Sequence, residues 1–276
     1  MTQPSVLLLR TAGTNCDEET KFAFEQAGAK VAPVHVRALC AKPKLLEAHA
    51  ILALPGGFSY GDDLGSGVVL AHEIVQRLGE PFARFVARGG LAVGICNGFQ
   101  VLVKTGLLPG ATYRANGKAK GRKGKGAADD GLVATLTFND SQRFEDRWVT
   151  LRVEPTASPF LEGAAGRLVE FPVAHGEGRF VTRGAEVLKR IVAGRQVAFR
   201  YVTREGGKPS YPDNPNGSQD DIAGIVDETG RVLGLMPHPE RHALPWHHPR
   251  WTRDGLKAEG DGMFVFRNAV AFARGA

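Results

Sequence analysis

Short, almost continuously apolar runs recur along the first third of the chain, and each is separated from the next by a stretch with helical character. Such runs are typical of strands buried on both faces, because an exposed face would require polar residues at alternate positions. Acids at the start or glycines at the end mark the intervening stretches as helices. The pattern therefore predicts βαβ units, with strands in residues 5–9, 30–36, 48–57 and 91–95 and helical segments in residues 17–28, 82–90 and 97–106.

The second half of the chain has mostly the pattern of strands. Strand-like segments occupy residues 147–154, 167–174 and 195–202, and a hairpin is predicted to join residues 221–227 to residues 231–240. A final helix is predicted in residues 262–273. Neither an internal repeat nor a linker interrupts this pattern, so we predict a single α/β domain over residues 1–276 with a central, mostly parallel sheet.

The middle of the chain changes character and becomes basic and rich in glycine. Between residues 114 and 125 there are six basic residues and no acid, namely Arg114, Lys118, Lys120, Arg122, Lys123 and Lys125. We predict a flexible basic loop over about residues 114–131. A solvated loop is favoured over a nucleic-acid site, because no aromatic side chain lies among the charges to stack on bases. Contact of this loop with an acidic partner or a phosphate is an alternative that the sequence leaves undecided.

Composition sets limits on class and compartment. The chain has 276 residues, 43% of them hydrophobic, which is enough for a sizeable core, and 35 basic against 29 acidic side chains give a formal net charge of +6. Its three cysteines, Cys16, Cys40 and Cys96, lie far apart, so a disulfide framework is not expected. The pattern shows neither a membrane span nor a secretion signal. We therefore expect a cytoplasmic protein with reduced thiols and no membrane partner.

Cys96 lies in the segment Gly94-Ile95-Cys96-Asn97-Gly98, between a predicted strand and a predicted helix. This is the G-x-C-x-G spacing of a nucleophile elbow, a tight turn that exposes the sulfur at the carboxyl end of a strand. The N–H groups of the following helix favour the thiolate. A buried structural cysteine is the alternative. Cys16, near another predicted helix start, is a rival nucleophile, although the three acids that follow it oppose a thiolate.

A base for such a nucleophile is offered by His238, with Glu240 two residues later. Residues i and i+2 of an extended segment face the same side, so Glu240 can bind one imidazole nitrogen while the other nitrogen faces the thiol. Pro237 and Pro239 keep the segment out of a helix. This weakens the alternative of a metal site on His238 and His242, whose spacing brings ligands together only on a helix. No metal site is expected.

A glycine pair supplies a candidate oxyanion hole. Attack on a carbonyl carbon places negative charge on the oxygen, and N–H donors aimed at that oxygen stabilise it. Asn97, the residue after the nucleophile, supplies one backbone N–H. Gly56 and Gly57, at the end of a neighbouring predicted strand, allow the backbone to approach closely and supply the second. A tight turn without a ligand is the alternative for these two glycines.

Several longer segments, taken together, resemble one family. They are "GTNCDEET", "LPGGFSYGDD", "GICNGFQ", "PVAHGEG", "NPNGSQDDIAGI", "MPHPERHALPW" and "EGDGMFVFRNAV", and they cover nearly the whole chain. These segments resemble the glutaminase subunits of phosphoribosylformylglycinamidine synthase, which are triad-type glutamine amidotransferases of purine biosynthesis. G-x-C-x-G alone indicates only a broad superfamily, whereas "GGFSYGDD" and "NGFQ" are much more specific.

The resemblance implies a flavodoxin-like α/β fold, a doubly wound sheet with helices on both faces. It also implies that Cys96 attacks the side-chain amide of L-glutamine. His238 would act as base and acid, with Glu240 as its orienter. The backbone amides of Gly57 and Asn97 would form the oxyanion hole. Ammonia would pass to a synthetase subunit that uses ATP and magnesium, often bridged by a small third subunit, and this chain itself would need no cofactor.

Three further residues are candidates for binding the glutamine. Gln100 lies one helical turn beyond the predicted nucleophile, where it either positions the substrate or packs. His175 and Glu177 belong to the "HGEG" segment, a region that in related enzymes holds the amino and carboxylate ends of the substrate; contact with a partner is their alternative. The rival functions are an elbow hydrolase without glutamine specificity and an RNA-binding protein that acts through its basic loop. We favour the glutaminase, without nucleic acid as a partner.

Overall fold

The computed structural model describes residues 3–110 and 131–275 of the chain. The predicted basic loop lies almost entirely outside these residues. The helices of the described part are α1 (Asp17–Gln26), α2 (Val36–Ala41), α3 (Val68–Ala87), α4 (Asn97–Lys104), α5 (Ala185–Ala193), α6 (Trp251–Asp254) and α7 (Met263–Gly275). The strands are β1 (Ser5–Arg10), β2 (Lys30–His35), β3 (Ile51–Leu54), β4 (Leu91–Ile95), β5 (Ala134–Thr137), β6 (Glu145–Val153), β7 (Leu168–His175), β8 (Arg179–Thr182), β9 (Val197–Val202), β10 (Ile222–Val226) and β11 (Val232–Leu235).

A nine-stranded sheet has the order β2-β1-β3-β4-β11-β10-β9-β6-β7. Its first five strands are mutually parallel, and their order is that of flavodoxin-like sheets. Strands β3, β4 and β11 are buried along their whole length, which explains their continuous apolar runs. The predicted α/β fold class is confirmed, and its flavodoxin-like parallel strands form the five-stranded half of the sheet.

The second half of this sheet is antiparallel. β10 and β11 form the predicted hairpin, and β9, β6 and β7 continue outward from it. A separate two-stranded ribbon of β5 and β8, which the hydrophobic pattern did not predict, packs near α4. Because β11 lies beside β4, residues near the end of the chain are placed next to the predicted elbow.

Helix α3 is longer than the sequence suggested. Only its last residues were predicted, since Pro81 falls inside it and proline usually marks a helix boundary. Its buried positions, Leu70, Ile74, Leu78, Phe82 and Phe85, recur at helical spacing and pack into the core. Tertiary burial of this apolar face thus outweighs the local cost of the proline.

The loops that follow β1, β3, β4 and β11 all leave the sheet at the carboxyl ends of parallel strands. Open α/β sheets bind their ligands at this edge, near the point where the strand order reverses. Cys16, Gly56, Cys96 and His238 lie in or next to these four loops. No helix of the described residues is both long and apolar enough to cross a membrane.

Candidate active site

Cys96 lies on a strained turn between β4 and α4. Its φ of +53° and ψ of −107° are values that residues other than glycine rarely adopt. The flanking glycines have no room for side chains. A Cβ on Gly94 would lie 2.5 Å from the carbonyl oxygen of Gly98, and a Cβ on Gly98 would lie 1.9 Å from that of Leu54. This geometry is that of a nucleophile elbow.

His238 and Glu240 follow β11 and form a buried hydrogen bond of 2.6 Å between Nδ1 and Oε1. Both side chains are at most 1% exposed. The backbone N–H of His238 donates to the carbonyl oxygen of Pro172 on β7, which fixes the start of the segment. The expected extended arrangement holds for His238, whereas Glu240 lies in a short 3-10 turn, Pro239–His242. The sequence therefore predicted the pairing but only part of its backbone geometry.

The pKa of His238 lies well above its usual value. Burial alone would lower it, because removing an imidazolium from water is costly. The charge of Glu240 opposes that effect, and the thiol groups of Cys96 and Cys16 add to the rise. Because Nδ1 is bound to Glu240, Nε2 is the nitrogen left for the sulfur atoms. Nε2 makes no hydrogen bond of ordinary length with the described residues, as is common before a substrate binds.

The glycine-rich loop after β3 is held beside the elbow by the loop after β1. The N–H groups of Asn15 and Cys16 donate to the carbonyl oxygen of Gly56, at 3.4 and 3.2 Å. Gly57 has a φ of +138°, and a Cβ there would lie 2.6 Å from a carbonyl oxygen of the loop after β1. Within residues 3–110 and 131–275, neither the N–H of Gly57 nor that of Asn97 has a hydrogen-bond acceptor. Both amides are thus available to an oxyanion.

The side chain of Asn97 ties this loop to the elbow, a role that sequence reasoning missed. Its Oδ1 accepts a hydrogen bond of 3.3 Å from the N–H of Ser59. Its Nδ2 donates to Asp62 Oδ1 at 3.1 Å and to Gln100 Oε1 at 3.0 Å. Gln100 in turn donates to the carbonyl oxygen of Glu177 at 2.5 Å. The two predicted substrate-binding residues Gln100 and Glu177 are therefore joined to each other and, through Asn97, to the elbow.

Two acidic side chains lie next to this network, and the sequence singled out only Glu177. Glu177 Oε2 accepts a hydrogen bond of 3.4 Å from the N–H of Ser66. Burial, together with the nearby charge of Glu177, raises the pKa of Asp62 above its usual value despite several hydrogen bonds to its carboxylate. Asp62 is in the "YGDD" segment, which the sequence singled out only as part of a family motif, and its φ of +54° lies in the left-handed region.

His175 is placed behind the site wall rather than at an open surface. It is 3% exposed, and its two ring nitrogens face protein side chains. Nδ1 lies 3.1 Å from Asn139 Oδ1, and Nε2 lies 3.5 Å from Asn216 Nδ2. Asn216 also donates to the hydroxyl of Tyr201 at 3.1 Å. These contacts favour a neutral imidazole that braces the wall, and they leave the predicted substrate contact without geometric support.

His175 should make folding sensitive to acid. Burial, with a smaller effect from the charge of His238, lowers the pKa of His175 from 6.5 to about 3. Below pH 6.5 His175 becomes protonated in the unfolded chain but stays neutral in the folded chain. The free energy of unfolding therefore falls as the pH drops toward 3. This group alone contributes a slope on the order of 1 kcal/mol per pH unit. His175→Gln is expected to flatten the pH dependence of the free energy of unfolding in this window, measured by urea denaturation.

The matched control is His72→Gln, because His72 is exposed on α3. This control should retain the slope of the unmodified protein. An equal slope in His175→Gln and the unmodified protein would show that His175 titrates normally in the folded state.

Two groups of potential metal ligands occur among the described residues. One is Cys16 with His238 and Glu240. In this group His238 Nδ1 and Glu240 Oε1 are already hydrogen-bonded to each other. The other is Glu170, His248 and Asp254. Arg250 lies in that second group, with ion pairs to Glu170 at 2.7 Å and to Asp254 at 3.3 Å. Both carboxylates of this group are therefore already paired with a guanidinium cation.

Known proteins resemble this chain along nearly its whole length. A family model described as the CobB/CobQ-like glutamine amidotransferase domain matches residues 3–273. A curated protein from Dehalococcoides mccartyi, phosphoribosylformylglycinamidine synthase subunit PurQ, is 48% identical over 275 residues and covers 99% of each chain. A protein of the same name from Methanococcus maripaludis is 37% identical, over 98% of this chain and 97% of its own.

A solved structure is similar along the whole chain. A chain of the structure named PurLQS from Thermotoga maritima superposes with a TM-score of 0.71 at 30% identity, over 98% of this chain and 99% of that one. The glutaminase domain of a Trypanosoma brucei CTPS, at 13% identity and a TM-score of 0.54, shares the fold alone. From the family match and these identities, the chain belongs to the PurQ subunits of phosphoribosylformylglycinamidine synthase, within the glutamine amidotransferases.

Proposed function

We propose that this chain is a glutaminase that hydrolyses L-glutamine to glutamate and ammonia, with Cys96, His238 and Glu240 as its catalytic triad. One observation carries the assignment of residues: a cysteine on a strained elbow adjoins a buried imidazole whose Nδ1 is bound to a carboxylate at 2.6 Å. Nucleophile, base and orienter thus occur in the order that acyl transfer requires. Membership of the PurQ subunits supplies the substrate class.

The reaction begins when His238 accepts the proton of the Cys96 thiol and the sulfur attacks the side-chain amide carbon of glutamine. The carbonyl oxygen gains negative charge and is stabilised by the N–H groups of Gly57 and Asn97. His238, held as an imidazolium by Glu240, donates a proton to the leaving nitrogen, and ammonia departs from a thioester. Water then attacks the thioester carbon while His238 takes up a proton from it. The bond between carbon and sulfur breaks, and the Cys96 sulfur recovers the proton held by His238. The glutamic acid released ionises to glutamate in solvent, and the starting state of the pair is restored.

The ammonia is consumed elsewhere, by a synthetase subunit of the same enzyme. We propose that this subunit uses ATP and magnesium to form the amidine of formylglycinamide ribonucleotide, and that a small third subunit bridges the two. PurQ subunits bear the name of that synthase, and the solved relative is a PurLQS structure. All steps proposed for this chain use its own side chains and backbone amides, so it is proposed to hold no cofactor. A reducing cytoplasm would keep its thiols reduced and is the proposed compartment.

Exposed apolar side chains in and near the loop after β3 form a rim, which favours the proposal that a partner subunit covers the site. Phe58 and Leu64 lie in the loop after β3 and are 44% and 75% exposed. Phe144 is 53% exposed and stacks on Phe58 with ring centroids 6.4 Å apart. Exposed apolar side chains that cluster in this way are typical of protein interfaces. A subunit docked on this rim would receive ammonia close to Cys96.

A glutamine-derived diazo-ketone tests the assignment of the nucleophile. Its electrophilic carbon forms a bond with a thiol as dinitrogen leaves, and the amino-acid portion directs it to a glutamine site. We expect the label on Cys96 and on neither Cys16 nor Cys40, as located by mass spectrometry of tryptic peptides. Excess L-glutamine should protect Cys96. The reaction is run with the chain alone and with its complex.

The D-enantiomer of the reagent is the matched control, since it keeps the reactive group but should not fit the site. Folded protein that remains unlabelled at Cys96 would overturn the glutaminase assignment. Label on Cys16 instead would transfer the role of nucleophile to the rival cysteine.

A further inference from the structure

Cys16 is a second buried thiol at the site, and the mechanism above does not use it. It is 2% exposed and immediately precedes α1. Its backbone is anchored on both sides. The N–H donates to the carbonyl oxygen of Gly56 at 3.2 Å, and its own carbonyl oxygen accepts the Thr20 hydroxyl at 2.6 Å. The thiol is thus presented from a rigid position at the carboxyl edge of the sheet.

The side chains of Cys16, His238 and Cys96 converge on Gly56. A Cβ on Gly56 would lie 2.9 Å from His238 Cε1, 3.1 Å from Cys16 Sγ and 3.4 Å from Cys96 Cβ. The Cys16 sulfur, a ring nitrogen of His238 and a carboxylate oxygen of Glu240 also lie within 4.8 Å of one another. The imidazole therefore packs in a slot whose walls include Gly56 and two thiols.

The Cys16 thiol is itself held in one orientation. Its sulfur lies 3.1 Å from Asn15 Oδ1, which accepts the S–H, and Arg241 Nη2 donates to the sulfur at 3.2 Å. Arg241 is also held, by an ion pair of 3.4 Å with Glu19 on α1. A chain of contacts thus runs from α1 through Arg241 and Cys16 to the catalytic imidazole.

The surroundings of Cys16 do not favour a role as a second nucleophile. It does not lie on a strained strand-to-helix turn, and its proton is already donated to Asn15. Burial raises the pKa of the Cys16 thiol, and the charge of Glu240 adds to this, while His238 and Arg241 act in the opposite direction. A neutral thiol of fixed orientation suits packing against a ring better than attack on a carbonyl.

We propose that Cys16 is a positioning residue that holds the His238 imidazole in the slot beside Gly56, so that Nε2 stays directed at Cys96. The inference rests on the proposed roles of Cys96 and His238. Sulfur fills the slot, whereas a methyl group at this position leaves a gap in which the ring can rotate about its Cβ. Misplacement of a catalytic group by about 1 Å can cost on the order of 10²-fold in rate.

The test compares Cys16→Ala and Cys16→Ser in the complex with the synthetase subunit. We expect Cys16→Ala to lower the glutamine-dependent kcat by about 10- to 100-fold, with KM for glutamine unchanged within about twofold. The ammonia-dependent rate should be that of the unmodified complex. Cys16→Ser keeps a hydroxyl that can bond Asn15 and Arg241, and should recover part of the loss. The pH profile of kcat should also change, because Cys16 is one of the groups beside His238, with Glu240 and Cys96.

Cys40→Ala is the matched control, because Cys40 is a half-buried thiol on α2 with Glu73 and Arg77 as its charged neighbours. If Cys16→Ala retains the kcat and the pH profile of an active unmodified complex, this inference alone is wrong. It is also wrong if the ammonia-dependent rate and the thermal stability fall together with kcat, since the role is then structural. Should Cys16→Ala fail to fold, Cys16→Ser decides by the same measurements. An unmodified complex that does not hydrolyse glutamine overturns the proposed function itself.

Discussion

Cys96→Ser is expected to remove glutamine-dependent formation of the amidine product while ammonia-dependent formation by the same complex continues. A serine hydroxyl is a far weaker nucleophile than a thiolate, and no thioester can form. Loss of the nucleophile in a comparable catalytic triad costs on the order of 10⁶-fold, so we expect a loss of at least about 10⁴-fold here. The measurement is the rate of product formation with L-glutamine and, separately, with ammonium chloride at a pH that supplies free ammonia.

The substitution replaces the sulfur with a smaller oxygen atom in a packed turn, so its effect on folding must be separated from its effect on chemistry. Ammonia-dependent activity provides that separation, since it requires the complex to assemble but bypasses the thioester. Cys40→Ser controls for replacement of a thiol remote from the elbow. Loss of both activities in Cys96→Ser, with Cys40→Ser fully active, would make Cys96 a structural residue.

The elbow could be predicted because its geometry depends on neighbours in sequence. Gly94 and Gly98 must lack side chains, since a Cβ on Gly94 would meet the backbone of Gly98 and a Cβ on Gly98 the backbone at Leu54. A strand before Cys96 and a helix after it then fix where the sulfur emerges. Such local requirements can be recognised in the sequence, because the residues involved are close together in it. The parallel strands could be predicted for a similar reason, because burial on both faces requires continuous apolar runs.

The surroundings of His238 could not be predicted, because they come from four separate loops. Nothing in the local sequence indicates that Cys16 lies beside Gly56, or that Arg241 donates to its sulfur at 3.2 Å. The acids after Cys16 were expected to oppose a thiolate. Instead Glu19 pairs with Arg241, and burial is the largest influence on the Cys16 thiol. Contacts between residues distant in sequence depend on the order of the strands, which hydropathy alone does not specify.

Asn97 illustrates the same limit within a predicted motif. Its backbone N–H was assigned to the oxyanion hole from its position after the nucleophile. Its side chain proves to bridge Ser59, Asp62 and Gln100, which lie on both sides of the site. The spacing of a motif identifies the backbone role, because that role follows from the turn. A side chain's partners depend on which loops the fold brings together.

His238→Ala is expected to reduce glutamine-dependent activity nearly as much as Cys96→Ser, whereas Glu240→Gln should be milder by about one to two orders of magnitude. Without His238, the thiol loses its proposed proton acceptor and the leaving nitrogen loses its proposed proton donor. Glu240 acts through the imidazole, and its amide counterpart can still contact Nδ1. Rates with glutamine and with ammonium chloride, measured on the complex of each variant, give the ranking. Equal losses in all three variants would contradict these separate roles.

Glu240→Gln should also shift the pH profile, and the direction follows from what sets the protonation of His238. The charge of Glu240 opposes the effect of burial and raises the pKa of His238. A neutral glutamine removes the largest of the effects that oppose burial, so the pKa of His238 falls. The imidazolium needed to protonate the leaving nitrogen is then lost at a lower pH, and the alkaline limb of the kcat profile moves to lower pH. Glu162→Gln, an exposed carboxylate, is the control and should leave this limb in place. If the alkaline limb of the kcat profile is unchanged in Glu240→Gln, then Glu240 orients the imidazole ring without raising its pKa.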